Sequence, residues 1–426
     1  GAVVTARDRN ENALDGERGQ ALAALGVKSV LGENYLAGME DDEIIFRTPG
    51  LRYDVPALAA ARARGAVVTS EMELFFELCP CPIFGVTGSD GKTTTTTLVY
   101  EMLSAQGFRC HKGGNIGAPL LPEIANITPT DIAVVELSSF QLHDMRCSPD
   151  VAVITNLSPN HLDYHKDMQE YVDAKKNIFL HQNPNNRLVY NYDNPISREL
   201  IAASGREAVP FSISGQADHG VLLRGRVIHY VDGERDEPVL DIGDIRIPGR
   251  HNVENYMAAI GAVMDYVDVE RIEQVARTFG GVEHRIELVR TLDGVRYYND
   301  SIASSPTRAM AGLNSFDAPL TLIAGGYDKN LDYTAFGRLV NRRVKKLVLV
   351  GKSSGKIFDA VVHADNYDPD ALDIVLCSSF EQAVRTAAAG AHSGDVVILS
   401  PASASFDQFR NFAERGEAFR RIVNAL

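Results

Sequence analysis

The run Gly85-Val86-Thr87-Gly88-Ser89-Asp90-Gly91-Lys92-Thr93-Thr94 combines three glycines with a lysine and several hydroxyls just ahead of a predicted helix. Glycines let backbone N–H groups turn inward on an anion. The helix N-terminus adds positive potential, and the lysine offsets charge on the outer phosphates of a nucleoside triphosphate. Thr93, directly after the lysine, suits a Mg²⁺ ion. The spacing departs from the ordinary P-loop, because Gly85 sits one residue early and Gly88 interrupts. The competing reading is a glycine turn without function; the apolar strand before it and the helix after it argue against that. Ile132-Ala133-Val134-Val135-Glu136 is a buried-type strand ending in a carboxylate, where an NTPase puts its second Mg²⁺ contact.

Four further groups could do chemistry. His161 lies in Asn156–Asp163, after a strand, at the edge where doubly wound sheets bind ligands; a lone loop histidine is more often simply solvated. Lys175 falls on the apolar stripe of a predicted helix 168–179, four after Tyr171 and three after Val172. There it either snorkels, which the sequence alone favours, or is buried with a lowered pKa. A neutral amine can take up CO₂ as a carbamate, a hard oxygen ligand for Mg²⁺. Asn252 is placed to cap a helix, and Asn255, one turn on, to hydrogen-bond an adenine. Asn299-Asp300-Ser301, Gly325–Lys329 and Ser400–Ser405 all follow strands, and together suggest a site for a small polar substrate.

Strand-like and helix-like segments alternate through most of the chain, which predicts an α/β protein with mainly parallel sheets. Three blocks are expected: residues 1–81, a Rossmann-like precursor-binding domain; 82–283, a central P-loop ATPase-like sheet with a β-rich insertion between Val209 and Ile247; and 284–426, a second Rossmann-like domain that takes an amino acid. Predicted strands include Ala2–Thr5, Ile83–Thr87, Val151–Asn156, Val295–Tyr298, Leu320–Ala324 and Val396–Ser400. The first, followed by Asp8, reads as the second strand of a nucleotide-binding βαβ unit. A first strand and its glycine loop are therefore expected ahead of residue 1.

The chain has 426 residues, 45% hydrophobic and 23% charged, with a formal net charge of -14. That acidity argues against nucleic acid or an anionic membrane as partner, and it requires a locally positive site for any anionic substrate. The 5 cysteines show neither zinc spacing nor a disulfide framework, which fits reduced cytoplasmic thiols.

Taken together, these motifs resemble the Mur ligase family. The resemblance rests on Thr87–Thr94, Gly114-Asn115-Ile116-Gly117, Glu136-Leu137-Ser138-Ser139-Phe140-Gln141-Leu142, Asn156–His161, Ala174-Lys175, His251–Asn255, His284-Arg285 and Ser400–Phe412. The Glu136–Leu142 and Ser400–Phe412 runs point to the D-glutamate-adding branch. The resemblance implies a cytoplasmic, monomeric ligase acting on small-molecule substrates. ATP would activate the alanyl carboxylate of UDP-N-acetylmuramoyl-L-alanine as an acyl phosphate, which D-glutamate then attacks. By position, Gly88, Ser89, Asp90, Gly91, Lys92, Thr93 and Thr94 would bind ATP phosphates. Asn252 and Asn255 would lie by the adenine, Asp300 by the ribose and Arg285 near the transferred phosphate. Thr93 and Glu136 would hold one Mg²⁺; His161 and a carbamylated Lys175 would hold the second. Lys92, His161, Lys175 and Arg285 would carry catalysis. Asp8, Arg9, Thr48, Asn115, Ser139 and His161 would contact the nucleotide precursor; Ser304, Lys329, Ser405 and Phe412 would hold D-glutamate. Because the sites fall on different blocks, the resemblance also implies closure before reaction. Where many relatives carry Asp-Ser-Lys-Ala-Thr-Asn, this chain has Asp300-Ser301-Ile302-Ala303-Ser304-Ser305, so Ile302 cannot supply that lysine's charge.

Two rival readings share parts of this pattern. A folylpolyglutamate synthase would need a pterin pocket, and the Glu136–Leu142 and Ser400–Phe412 runs speak against one. A non-catalytic nucleotide-binding protein would bind ATP without amino-acid-dependent turnover.

Overall fold

The computed structural model describes residues 1–159, 164–316 and 318–426. The chain divides into two compact units: Gly1–Lys92 with Phe108–Tyr190 and Ile196–Ala208, and Thr93–Gly107 with Asn191–Pro195 and Val209–Leu426. The mixed α/β class expected from the alternating pattern is what forms. No helix among the described residues is long and apolar enough to cross a membrane.

The first unit begins with two small parallel pairs. Strand β1 (Thr5–Asp8) pairs with β2 (Lys28–Leu31), and β3 (Ile44–Phe46) with β4 (Val67–Thr69). The first strand lies later than the predicted Ala2–Thr5, so Asp8 is its last residue. Next come β5 (Ile83–Thr87), β6 (Cys110–Gly114), β7 (Ile132–Glu136), β8 (Val151–Ile154) and β9 (Arg187–Asn191). They run parallel in the order β9-β8-β5-β7-β6. The central strands are covered on both faces, so their residues read as continuous apolar runs. Phe84, Val86, Val134 and Val153 are fully buried. Each such side chain contributes about 1.5–3 kcal/mol. The register sets Gly114 opposite Glu136, Glu136 opposite Val86, and Thr87 opposite Ile154. Four loops therefore leave one edge of the sheet together.

In the second unit β10 (Val209–Ser212) pairs in parallel with β11 (Gly220–Arg224), which continues antiparallel into β12 (Val227–Asp232) and β13 (Arg235–Asp241). This is the predicted β-rich insertion. A separate six-stranded sheet has the order β14-β15-β19-β16-β17-β18. Its strands are β14 (Glu287–Leu292), β15 (Val295–Asn299), β16 (Leu320–Ala324), β17 (Val344–Val350), β18 (Asp373–Cys377) and β19 (Val396–Leu399). All pairings are parallel except β14 with β15, a hairpin the sequence reading missed. Asn299 and Ile323 both register with Leu399, so the loops after β15, β16 and β19 leave from neighbouring strand ends.

Candidate active site

The glycine loop is shaped by close approach. Gly88 has φ 152°, and a Cβ there would stand 1.9 Å from Thr155 Oγ1. A side chain there would have to displace the Thr155 hydroxyl and crowd the Asn156 backbone. The loop is threaded by the segment after β8. Asn156 O accepts from Ser89 N at 2.9 Å, and Asn156 Oδ1 accepts from Asp90 N at 2.9 Å. The Ser89 hydroxyl takes a bond from Ser158 N at 2.9 Å and meets the Tyr171 hydroxyl at 2.8 Å. The helix Lys92–Gln106 follows directly. Lys92 Nζ donates to Gly88 O and Ser89 O, both at 2.9 Å, so the ammonium lies over the loop.

Glu136, at the end of β7, is buried. Asn115 Nδ2 donates to its Oε1 at 2.8 Å, and Asn115 N donates to its backbone oxygen at 2.8 Å. Gly114 permits this approach: it has φ 96°, and a Cβ would lie 2.2 Å from Glu136 O. Glu136 Oε2 is buried and has no hydrogen-bond partner among the described residues. A bare, buried carboxylate oxygen is costly unless something cationic meets it. Hard oxygen donors of this kind suit Mg²⁺, so the residues present fit that ion.

Lys175 is 1% exposed, which overturns the snorkelling reading. Helix Met168–Leu180, capped by Asp167, turns Tyr171, Val172, Lys175, Ile178 and Phe179 inward together. Lys175 Nζ donates to Thr87 Oγ1 at 3.0 Å and to Gly88 O at 2.9 Å. Burial, and then the nearby Lys92 charge, push its pKa well below the usual lysine value. A neutral amine has two N–H bonds and one lone pair. In that form both hydrogens would have acceptors here, leaving the lone pair as a nucleophile. Ser139 is buried in the short helix Ser139–Leu142, behind a capping box of Ser138 and Gln141, and its hydroxyl meets His165 Nε2 at 2.9 Å.

In the second unit the helix Arg250–Val263 is capped by Gly249, not by Asn252. Gly249, with φ 99°, occupies the cap position and moves Asn252 into the first turn. There Asn252 and Asn255 are buried and linked: Asn252 Nδ2 donates to Pro248 O at 2.6 Å, and Asn255 Nδ2 to Asn252 Oδ1 at 3.1 Å. Thr95 Oγ1 donates to Asn255 Oδ1 at 3.2 Å.

The six-stranded sheet carries the other polar loops. Asp300 is buried and receives the Ser400 hydroxyl at 2.8 Å; burial pushes its pKa up to about 7. Arg285 sits between two residues at positive φ, His284 (62°) and Ile286 (45°). For a β-branched residue that conformation is strained. It is held by Ile302 N donating to His284 O at 3.0 Å and His284 N donating to Glu287 Oε2 at 2.9 Å. Ser304 is half-buried, Ser405 is buried, and Lys329 is exposed with its ammonium 5.4 Å from the Phe406 ring. Phe412 stays 39% exposed, and its carbonyl accepts from Ser301 Oγ at 2.7 Å.

Residues 86–263 match the Mur ligase middle domain, and residues 284–403 match the Mur ligase glutamate ligase domain. A UDP-N-acetylmuramoylalanine--D-glutamate ligase of Acetivibrio thermocellus is 53% identical over 428 residues, covering 100% of this chain and 92% of that protein. The chain belongs to the Mur ligase family. The ligase of the same name from Ruminiclostridium cellulolyticum is 48% identical, with 100% of this chain and 92% of that protein covered. Mur ligases are ATP-dependent ligases, and this chain is one. The fold is shared with the UDP-N-acetylmuramate-alanine ligase of Thermotoga maritima, at a TM-score of 0.60 and 17% identity over 98% of this chain and 93% of that one.

Of the residues expected in this Mur ligase's site, Gly88, Ser89, Asp90, Lys92, Asn115, Glu136, Ser139 and Lys175 gather in the first unit. Asn252 and Asn255 form one linked pair in the second unit; Arg285, Asp300, Ser304, Lys329, Ser405 and Phe412 belong to its six-stranded sheet domain. Thr93 and Thr94 open the helix after the loop. Asp8, the last residue of β1, and Arg9 and Thr48, which follow the small-sheet strands, are exposed, and Asp8 Oδ1 accepts from Asn10 N at 2.8 Å. His161 lies outside the described residues. Sequence reasoning missed Arg415, which is 2% exposed and donates to Ser403 O at 3.1 Å, Ala404 O at 3.2 Å, Ser301 O at 2.9 Å and Ser301 Oγ at 3.0 Å. The i, i+4, i+8 register of Arg415, Phe419 and Val423 was the available signal.

Proposed function

We propose that this Mur ligase adds D-glutamate to UDP-N-acetylmuramoyl-L-alanine in peptidoglycan synthesis, consuming ATP and releasing ADP and phosphate. The observation that carries the reading is the bare Glu136 oxygen beside Asn115, with the glycine loop, Lys92 and buried Lys175 on the same sheet edge. Identity of 53% with a ligase of that name supports the choice of amino acid.

The alanyl carboxylate attacks the γ-phosphorus of ATP, and ADP leaves. The D-glutamate amine then attacks the resulting acyl-phosphate carbonyl, loses a proton and expels phosphate. Both reactants of the first step are anions, so the site must offset their repulsion. Loop amides and Lys92 do so at the phosphates, and Arg285 is proposed to face the transferred group. Glu136 and the Thr93 hydroxyl would hold one Mg²⁺. Lys175, as its carbamate, would hold a second with His161. When bound, these ions supply Lewis-acid charge neutralisation. Asn252 and Asn255 are assigned to the adenine and Asp300 to the ribose. Ser304, Lys329, Ser405 and Phe412 are assigned to D-glutamate, and Asp8, Arg9, Thr48, Asn115 and Ser139 to the nucleotide precursor. The division at residues 81 and 283 into precursor-, ATP- and amino-acid-binding domains, a monomeric state and a cytoplasmic location complete the proposal.

The test is phosphate release by the 426-residue chain with ATP, Mg²⁺ and the muramoyl precursor, with and without D-glutamate. Release is expected only when both substrates are present. Release driven equally by another amino acid would overturn the substrate assignment, and ATP binding without release would favour a binding role.

A further inference from the structure

A second cluster of ligand-type side chains lies in the first unit, apart from Glu136 and Lys175. His143 follows the short helix Ser139–Leu142, His165 lies beyond it in the chain, and Glu170 is in the first turn of Met168–Leu180. One ligand atom from each lies within 4.8 Å of the others. His143 Nε2 is 3.7 Å from Glu170 Oε1, and His165 Nδ1 is 3.7 Å from Glu170 Oε2. These separations are too long for hydrogen bonds. They reach opposite oxygens of the one carboxylate and are slightly longer than the edge of a zinc tetrahedron, about 3.3–3.6 Å for metal–ligand bonds of about 2.0–2.2 Å, so the three side chains would draw together around an ion.

The surroundings orient the donors. The Ser139 hydroxyl holds His165 Nε2 at 2.9 Å, which turns Nδ1 to the carboxylate. Metal-binding histidines are commonly fixed this way through the other ring nitrogen. Each carboxylate oxygen of Glu170 also carries one outer hydrogen bond: Arg52 Nη2 donates to Oε1 at 3.0 Å, and Lys166 N donates to Oε2 at 2.6 Å. The two nearby cations are themselves paired with Asp54, at 2.9 Å from Arg52 and 3.1 Å from Lys166. Arg47 is paired with Asp144. The side chains of His143 and His165 are 6% and 0% exposed, and burial pushes the His143 pKa down, toward the neutral ligand form.

We propose that His143, His165 and Glu170 form a site for a zinc-class transition-metal ion, with water as the fourth ligand, distinct from the Mg²⁺ positions. Such an ion ties the Ser139 helix to the start of the Lys175 helix.

Cobalt(II) is the probe. Chelator-stripped full-length chain titrated with Co²⁺ is expected to develop the visible bands of a four-coordinate ion, saturating near one equivalent and displaced by Zn²⁺. His143→Gln and Glu170→Gln are expected to lose the bands, whereas Glu136→Gln keeps them. Absence of bands in the wild-type chain overturns the proposal, and so do bands lost in Glu136→Gln but kept in the other two. Should the variants fail to fold, diethyl pyrocarbonate labelling of the wild-type chain decides. Zn²⁺ is expected to protect His143 and His165, read by peptide mass; unchanged labelling overturns the site.

Discussion

The Asn115 side chain holds one oxygen of Glu136 at 2.8 Å, and the other is buried with no hydrogen-bond partner among the described residues. This splits the carboxylate's work. One oxygen is fixed by its hydrogen bond, and the opposite oxygen is the one proposed to meet Mg²⁺. Glu136→Gln removes the charge and is expected to raise the half-saturating Mg²⁺ concentration for phosphate release by at least about 100-fold. Asn115→Leu keeps the carboxylate but frees it to rotate, for an expected loss of about 10–100-fold in metal affinity. Mg²⁺ titration of turnover checks both. Equal half-saturation in wild type and Glu136→Gln would count against the assignment.

Lys175 is the second handle. Burial and the Lys92 charge disfavour the charged form of its amine and hold its pKa well below the usual lysine value. Turnover by the wild-type chain is expected to fall in CO₂-free buffer and to recover on adding bicarbonate. Lys175→Met should lose at least about 100-fold in kcat, the scale of one lost metal contact, with no bicarbonate response. A wild-type rate indifferent to CO₂ would rule out the carbamate.

What the sequence made legible follows from how far apart the cooperating residues are. The glycine loop, its strand and its helix are contiguous, so Gly88 to Thr94 could be read directly. Lys175 could be placed on a stripe, but whether its amine reached water depended on packing from Thr87 and Gly88, 88 and 87 residues away. Strand β6 was missed because Cys-His-Lys-Gly-Gly is a poor strand sequence; its neighbour β7 imposes the conformation that sets Asn115 beside Glu136. Asn252 resembled a cap only because Gly249, with its positive φ, was not recognised as one. The Arg52–Glu170 contact joins residues 118 apart and left no local pattern.

Arg415 illustrates the same limit with a larger energetic consequence. Its guanidinium joins the loops after β15 and β19 through bonds to Ser301, Ser403 and Ala404. Arg415→Met would remove the guanidinium's bonds to the buried Ser301 and Ser403 carbonyls, while Ala404 O keeps the Tyr327 amide as donor. The expected cost is roughly 3 kcal/mol or more, at about 1–3 kcal/mol for each strongly desolvated group. Arg415→Lys restores charge but only part of the fork, so partial recovery is expected. Thermal melting measures stability, and the KM for D-glutamate should rise more than that for ATP. An unchanged melting curve in Arg415→Met would show that the loops are held by something else.

Asp300 makes the second unit's stability depend on pH in a direction opposite to that of an ordinary paired carboxylate. Burial raises its pKa from 3.8 to about 7, against the Ser400 hydrogen bond and the nearby Arg285 charge. Below about pH 4 the group is protonated in folded and unfolded chains alike, and its contribution is fully present. Between about 4 and 7 the unfolded chain releases the proton while the folded chain keeps it, so stability falls as pH rises. The slope is at most about 1.4 kcal/mol per unit, levelling above the folded value. Asp300→Asn cannot titrate and should lack this component. Melting temperatures of the two proteins, without nucleotide, are therefore expected to shift relative to one another between pH 5 and 8, with the wild type losing ground as pH rises. Parallel curves across that window would mean that Asp300 is ionised in the folded chain, for instance through closer pairing with Arg285.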